Sequence, residues 1–267
     1  MASMTVSPTE IAQFDALAAR WWDPDGPMRP LHRMNPARVR WIVERIGRSG
    51  GASRPPPPNP LPEGEGEYFS SSGPSSHPAS SSIASRPRLL DVGCGAGLAA
   101  EAFARRGFDV LGLDAGHEVV EAARAHAAGQ GLPLAYRIGV AEDLLTEATQ
   151  FPIITALEVI EHVPDQEAFL TTLAALLTPG GKLFVSTLNR TPRSFVAAKV
   201  GAEYVLRWLP VGTHDWRRFV TPIELDGMLR RVGLRVSDIT GLVVDPLTGR
   251  WNASRDLSVN YLMVAES

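Results

Sequence analysis

The stretch Arg88-Leu-Leu-Asp-Val-Gly-Cys-Gly-Ala-Gly97 decides the fold. Leu89, Leu90 and Val92 form the short apolar run of a buried strand. Gly93, Gly95 and Gly97 then recur at every second position, which dictates a tight turn where backbone can approach a ligand. A helical pattern follows from Leu98 to Arg106, with Gly107 as its stop. Strand, glycine turn and helix together make the nucleotide-binding corner of an open α/β sheet. The next strand, Asp109 to Leu113, ends in Asp114, nineteen positions after Gly95, where a carboxylate would take the hydroxyls of a ribose.

Different ligands use such a corner. Gly95-Ala-Gly97-Leu-Ala-Ala100 matches the fingerprint of a dinucleotide site, but it starts two residues after the strand has ended at Gly93. It would also set the carboxylate of Asp91 beside an incoming pyrophosphate, a like-charge contact. Asp91 suits a ligand with cationic groups near the turn, such as the ammonium and sulfonium of S-adenosylmethionine. An empty corner with structural glycines is the third reading.

The run Asp91-Val-Gly-Cys-Gly-Ala-Gly97 resembles the first motif of class I methyltransferases. The resemblance implies an α/β, Rossmann-like fold: a seven-stranded, mostly parallel sheet with helices on both faces. It also implies a cofactor, S-adenosyl-L-methionine, held by Asp91, Gly93 and Gly95, with Asp114 on its ribose.

Composition narrows the class. With 267 residues, 44% hydrophobic and 21% charged, the chain is long enough for one full α/β core. A net charge of −3 gives no basic field, so no nucleic-acid partner is expected. The one cysteine, Cys94, rules out an internal disulfide, a multi-cysteine metal site and the three-cysteine cluster of radical chemistry on adenosylmethionine. No apolar run reaches membrane-span length, and the first residues read as neither signal nor transit peptide, so a bacterial cytoplasm is the expected location.

Upstream of the corner, Ser7-Pro-Thr-Glu10 reads as a capping box opening a helix, with an apolar face of Ile11, Phe14, Leu17 and Ala18. A second helix, capped by Asn35, is expected to run to about Ile46. The words Arg20-Trp-Trp-Asp23 and Leu31-His-Arg-Met-Asn-Pro36, with Arg38 after them, resemble the N-terminal region of ubiquinone-biosynthesis O-methyltransferases. In that family the arginine two places after the Asn-Pro contacts the cofactor, which implies Arg38 here. Residues 1–48 are thus expected to form an N-terminal helical cap over a methyltransferase core at 88–267. Between them, residues 49–87 hold nine prolines, eleven serines and five glycines, the composition of a disordered low-complexity insertion.

Pro152 to Leu157 is a continuous apolar strand, and by family position Leu157 lies against the cofactor. At its end comes Glu158-Val-Ile-Glu161-His162, where open parallel sheets bind ligands. As a helical turn, the spacing puts Glu158, Glu161 and His162 on one side. Two carboxylates and an imidazole can hold a hard divalent cation; equally, Glu161 and His162 can serve acid–base catalysis with no metal. The resemblance assigns this Glu-x-x-Glu-His word a divalent metal, Mg2+ being the expected ion. It further implies O-methylation of a polyprenylated catechol on the route to ubiquinone, in a ubiquinone-biosynthesis complex. The rivals are a methyltransferase for another small phenol or amine, and a non-catalytic adenosylmethionine-binding scaffold.

Later words extend the resemblance: Leu176-Leu-Thr-Pro-Gly-Gly-Lys182 before the fifth strand, Ser186-Thr-Leu-Asn-Arg190 at its end, and Gly212-Thr-His-Asp215. Thr221-Pro-Ile-Glu224 opens a last helix with a capping box. Residues 190–219 read as a lid or membrane-contact insertion. Within it, Ser194 to Leu209 has a narrow stripe of Lys199, Glu203 and Arg207 on an otherwise apolar helix, flanked by Arg190, Arg193, Arg217 and Arg218. That pattern suits an anionic membrane surface, so peripheral association with the inner membrane is expected.

Overall fold

The computed structural model describes residues 7–47, 86–195, 216–245 and 247–267. The expected insertion at 49–87, apart from its last two residues, and most of the expected membrane helix therefore lie outside the described residues.

Apolar alternation dictates a layered sheet. Leu90, Ile154, Leu183 and Met263 enter one hydrophobic cluster, while their neighbours Leu89, Ile153, Phe184 and Leu262 enter another. Period-two side chains facing two apolar layers require helices on both faces. Those helices are α2 (Arg29–Ile46) and α3 (Leu98–Ala104) on one side, and α5 (Ala141–Thr146), α6 (Gln166–Ala175) and α7 (Pro222–Arg231) on the other. The strands are β1 (Arg88–Val92), β2 (Asp109–Asp114), β3 (Leu134–Ile138), β4 (Phe151–Leu157), β5 (Leu177–Leu188), β6 (Arg235–Val244), β7 (Trp251–Ser254) and β8 (Asn260–Glu266).

Their order is β3-β2-β1-β4-β5-β8-β6-β7. The first five are parallel, and β8, β6 and β7 are antiparallel. The expected seven strands are all present; the eighth, β7, is a short edge strand hairpinned onto β6 that the sequence reading missed. Its four residues, Trp251-Asn-Ala-Ser254, are too few for a clear alternation.

The strand order reverses beside β1, and there α4 (His117–Ala127), the glycine turn and the N-terminal cap meet. The cap is sewn to this corner by specific bonds. Asp15, at the end of α1 (Pro8–Asp15), accepts the N–H groups of Glu118 and Val119 at 3.0 and 3.1 Å, satisfying the open amides of α4. Trp22 donates its indole N–H to the Ala96 carbonyl at 2.9 Å and stacks on His126.

Two local expectations are corrected. Asn35 does not cap α2, which begins six residues earlier at Arg29 with Pro30 in its first turn. Asn35 instead sits inside the helix and donates to the Leu98 carbonyl at 2.9 Å. Ser7 precedes α1 as expected, yet its side chain makes no capping bond. Glu10, the other half of that capping box, is turned elsewhere. The box at Thr221 and Glu224 does form in both directions.

Candidate functional site

One cavity of about 420 Å³ opens at the carboxyl ends of β1, β2 and β4, within the range that holds a cofactor-sized ligand. Arg38, Asp91, Gly93, Gly95, Asp114, Leu157, Glu158, Glu161 and His162, the residues expected to hold cofactor or metal or to act in catalysis, all line it.

The turn Gly93-Cys-Gly95 has left-handed backbone at both glycines, φ +69° and +52°. A Cβ on Gly95 would collide with the Trp21 indole, and one on Gly93 with Val159. Gly95 is thus required by the approach of the protein's own cap and Gly93 by the residue after Glu158, which the sequence did not reveal. Cys94 is buried, and burial pushes its thiol up, which suits a small inert residue.

Asp91 is 2% exposed. Strand register sets it opposite Thr155, whose hydroxyl donates to Oδ1 at 2.6 Å. Its Oδ2 has no hydrogen-bond partner among the described residues. Burial pushes the Asp91 carboxyl up to about 6, against the pull of Thr155 and the Arg38 charge. Arg38 is buried as well, donates to Asn35 Oδ1 at 3.1 Å, and keeps its Nε unpartnered. Burial lowers its pKa while Glu158 and Asp91 act to raise it. A buried anion and a buried cation, each with an unmatched polar atom, form a cradle for a zwitterionic amino-acid group.

Asp114 accepts the Gly95 amide on Oδ2 at 2.8 Å and the Gly116 amide on Oδ1 at 2.9 Å. Burial raises its pKa and the two amides oppose that. It therefore pins the glycine turn while facing the cavity.

Glu158 adopts φ +58°, rare for a residue with a side chain, and is held there from β5. The carbonyl of Ser186 accepts its N–H at 3.0 Å, and the Ser186 hydroxyl donates to its Oε1 at 2.7 Å. A single 3-10 turn, Ile160–His162, follows. Glu161 is 3% exposed and accepts the Thr187 hydroxyl at 2.9 Å; burial first, and the Glu158 charge second, raise its pKa. His162 Nδ1 lies 3.0 Å from Glu10 Oε2, and Phe14 meets its ring edge-on. Burial works against a charged His162, but the Glu10 bond and the carboxylates of Glu161, Glu10 and Glu158 outweigh it, so the net pKa is raised.

These three side chains share the cavity but do not converge as metal ligands. Each is engaged by a different partner, and no group of three or more His, Cys, Asp or Glu among the described residues is placed to hold a metal ion. Of the residues that matter here, sequence reasoning missed Glu10, Trp21, Thr155, Ser186 and Thr187. Ser186-Thr187 and Trp21 carried a signal, as parts of family words of unassigned role, and Glu10 only as half of a capping box.

Residues 70–239 match the family model of a methyltransferase domain. A ubiquinone biosynthesis O-methyltransferase of Methylobacterium nodulans is 46% identical over 96% of this chain and 94% of its own length. The enzyme of the same description from Cereibacter sphaeroides is 44% identical over 98% and 96%. The chain belongs to the ubiquinone biosynthesis O-methyltransferase family. It is an S-adenosylmethionine-dependent O-methyltransferase of ubiquinone biosynthesis. Among solved structures, an S-adenosylmethionine-dependent methyltransferase of Thermotoga maritima covers 96% of this chain and 98% of its own, with a TM-score of 0.57 at 15% identity. One from Methanosarcina mazei covers 69% and 94%, with a TM-score of 0.52 at 17% identity. Both share the class I methyltransferase fold. No helix among the described residues is long and apolar enough to cross a membrane.

Proposed function

We propose that the enzyme methylates a catechol hydroxyl of polyprenylated ring intermediates, at both the 2-polyprenyl-6-hydroxyphenol and 3-demethylubiquinol stages. The observation that carries this reading is that one largely apolar cavity joins the Asp91–Arg38 cradle to a histidine already oriented by a carboxylate. Arg38 and Asp91 hold the cofactor's carboxylate and ammonium, Asp114 its ribose, and Leu157 packs against it. His162 takes the phenolic proton. The phenolate oxygen attacks the sulfonium methyl, the carbon–sulfur bond breaks, and its electron pair stays on sulfur as a neutral thioether. Displacement needs alignment more than strong bases, so the apolar walls serve by positioning and by excluding water. Glu161, carrying the Thr187 hydroxyl, balances the imidazolium as it forms.

The family resemblance adds Mg2+ at Glu158, Glu161 and His162. In that reading Ser186, Thr187 and Glu10, each bonded to one of the three through a single atom, would orient the ligands from behind. Methyl transfer to catechol, phenol and amine acceptors, with chelator and with Mg2+ restored, tests both points. Turnover of catechol alone supports the substrate class, and equal turnover of amines refutes it. Activity that survives chelation leaves His162 as the base, whereas loss reversed by Mg2+ assigns the carboxylates to the cation.

We also propose that residues 190–219 bring the enzyme to an anionic membrane surface, where its insoluble substrate resides, and into a biosynthetic complex. The core of this segment lies outside the described residues. Its flanks are tied together, the Trp216 indole N–H donating to the Thr191 carbonyl at 3.2 Å, and Phe195 is 39% exposed. Three of the flanking arginines pair internally, Arg190 with Glu224, Arg193 with Asp256 and Arg218 with Glu10. Salt-sensitive flotation with anionic liposomes, lost on changing Phe195 and Trp208 to glutamate, is the expected result; equal partitioning of both proteins refutes it.

A further inference from the structure

We propose that Glu10, carried by the N-terminal cap, is a positioning residue for methyl transfer: it holds the His162 ring in one orientation at the cavity. The proposal rests on the reading of this cavity, His162 included, as the site of methyl transfer.

The first sign is a local rule left unfulfilled. Ser7 and Glu10 have the spacing of a capping box, and a capping bond stabilises a helix, yet the Ser7 side chain makes none. Glu10 instead reaches across the cavity wall, its Oε2 3.0 Å from His162 Nδ1 and its Oε1 3.3 Å from Arg218 Nη1. A helix that gives up its own cap for a contact 152 residues away marks a functional position.

The geometry also states what the contact does. A carboxylate only accepts, so Nδ1 is the ring nitrogen that donates to Glu10. Phe14, one turn further along α1, meets the imidazole edge-on at 5.1 Å between centroids, which fixes the ring plane from the same helix. Arg218 holds the second Glu10 oxygen, so the carboxylate has little freedom to swing away.

Helix α1 is at the same time bound to the cofactor corner. Asp15 caps α4, and Trp21 a few residues later lies on the Gly95 turn. The element that closes over the cofactor thus also delivers the group that orients the base. An unseated cap leaves His162 without its orienting partner, so the base is assembled together with the cofactor site.

The test compares E10A, E10Q, E10D and H162Q in methyl transfer to a water-soluble catechol, with S-adenosylhomocysteine affinity measured by calorimetry. The expected result is that E10A lowers kcat about tenfold to a hundredfold, while cofactor affinity and catechol KM stay within about twofold. E10D should recover part of the loss, and the nitrogen-15 spectrum of His162 should pass from one Nδ1–H tautomer to a mixture in E10A. E10Q keeps the side chain's shape and carries the same comparison should E10A not fold. Wild-type kcat in H162Q would defeat the base reading itself. An inactive H162Q beside an E10A of full kcat would overturn the role of Glu10 alone. So would an E10A that loses kcat and cofactor affinity in parallel, since Glu10 would then only dock the cap.

Discussion

Replacing Asp91 with asparagine should stabilise the ligand-free enzyme while weakening its grip on the cofactor. The Asp91 carboxyl is buried and pushed up to about 6 from the ordinary 3.8. Between those values the native state keeps a proton that the unfolded chain has released. Ligand-free stability therefore falls as pH rises through that window and is level above it. At about 1.4 kcal/mol per tenfold, full ionisation costs the fold about 3 kcal/mol. Asparagine removes the charge but sets an amide N–H where Oδ2 has no partner, at a cost of about 1–2 kcal/mol. The net gain above pH 7 is about 1–2 kcal/mol, or roughly 3–6 °C in melting temperature for a chain of this size. The gain should shrink at pH 5, where wild-type Asp91 is itself mostly protonated. Cofactor affinity should drop about tenfold to a hundredfold, because a charge-assisted bond to the ammonium is lost. For the wild type, affinity should rise with pH through 6. Scanning calorimetry at pH 5 and 8 and titration with S-adenosylhomocysteine measure both effects. A D91N enzyme that melts lower at pH 8 and binds the cofactor unchanged would refute the reasoning.

Three other perturbations follow from the same geometry. Gly95→Ala meets both left-handed backbone and the Trp21 indole, so it should unseat the cap and weaken cofactor binding by about tenfold or more, read by calorimetry and by tryptophan fluorescence. Asp114→Ala should cost about 2–4 kcal/mol of stability as well as cofactor affinity, because it orphans the amides of Gly95 and Gly116; a thermal shift against wild type checks this. Removing residues 49–85 and joining the ends with a short linker should leave activity and melting temperature nearly unchanged. The cut stops before Pro87, whose carbonyl accepts the Asp109 amide at 3.0 Å and so belongs to the fold.

Much of the cofactor half was legible because its demands are local. Strand, glycine turn, helix and terminal carboxylate occupy one continuous run, and backbone sterics tie residue type to position within it. The inner parallel strands β1, β2, β4 and β5 announce themselves as apolar runs because both their faces are covered, whereas the edge strand β3 does not. What stayed hidden was set by partners remote in sequence. Asn35 has the type of a helix cap and was read as one, but the Leu98 carbonyl claims its side chain. Thr155 is unremarkable until strand register sets it against Asp91. Glu158, Glu161 and His162 share a spacing that suggests one set, and the partners Ser186, Thr187 and Glu10 that hold each of them lie far off in sequence. Spacing tells which groups can meet, and competition among distant partners tells which do.

That competition explains why the cap belongs to the catalytic unit. Around the cavity, cap and core meet at Asp15, Trp21, Trp22 and Asn35 beside the glycine turn and at Glu10 beside His162, while Arg45 ties α2 to Asp238 further off. A lid attached only at the cofactor would sequester ligand and leave the chemistry untouched. One attached only at His162 would orient a base with no donor in place. On the reading proposed above, a cap that spans both orients the base only where it is itself seated, and Gly95 is what lets Trp21 lie close enough. Substitutions at Trp21 and at Glu10 should therefore be less than additive in kcat, since unseating the cap at Trp21 already takes Glu10 away from His162. Strict additivity would show that cofactor enclosure and base orientation are independent.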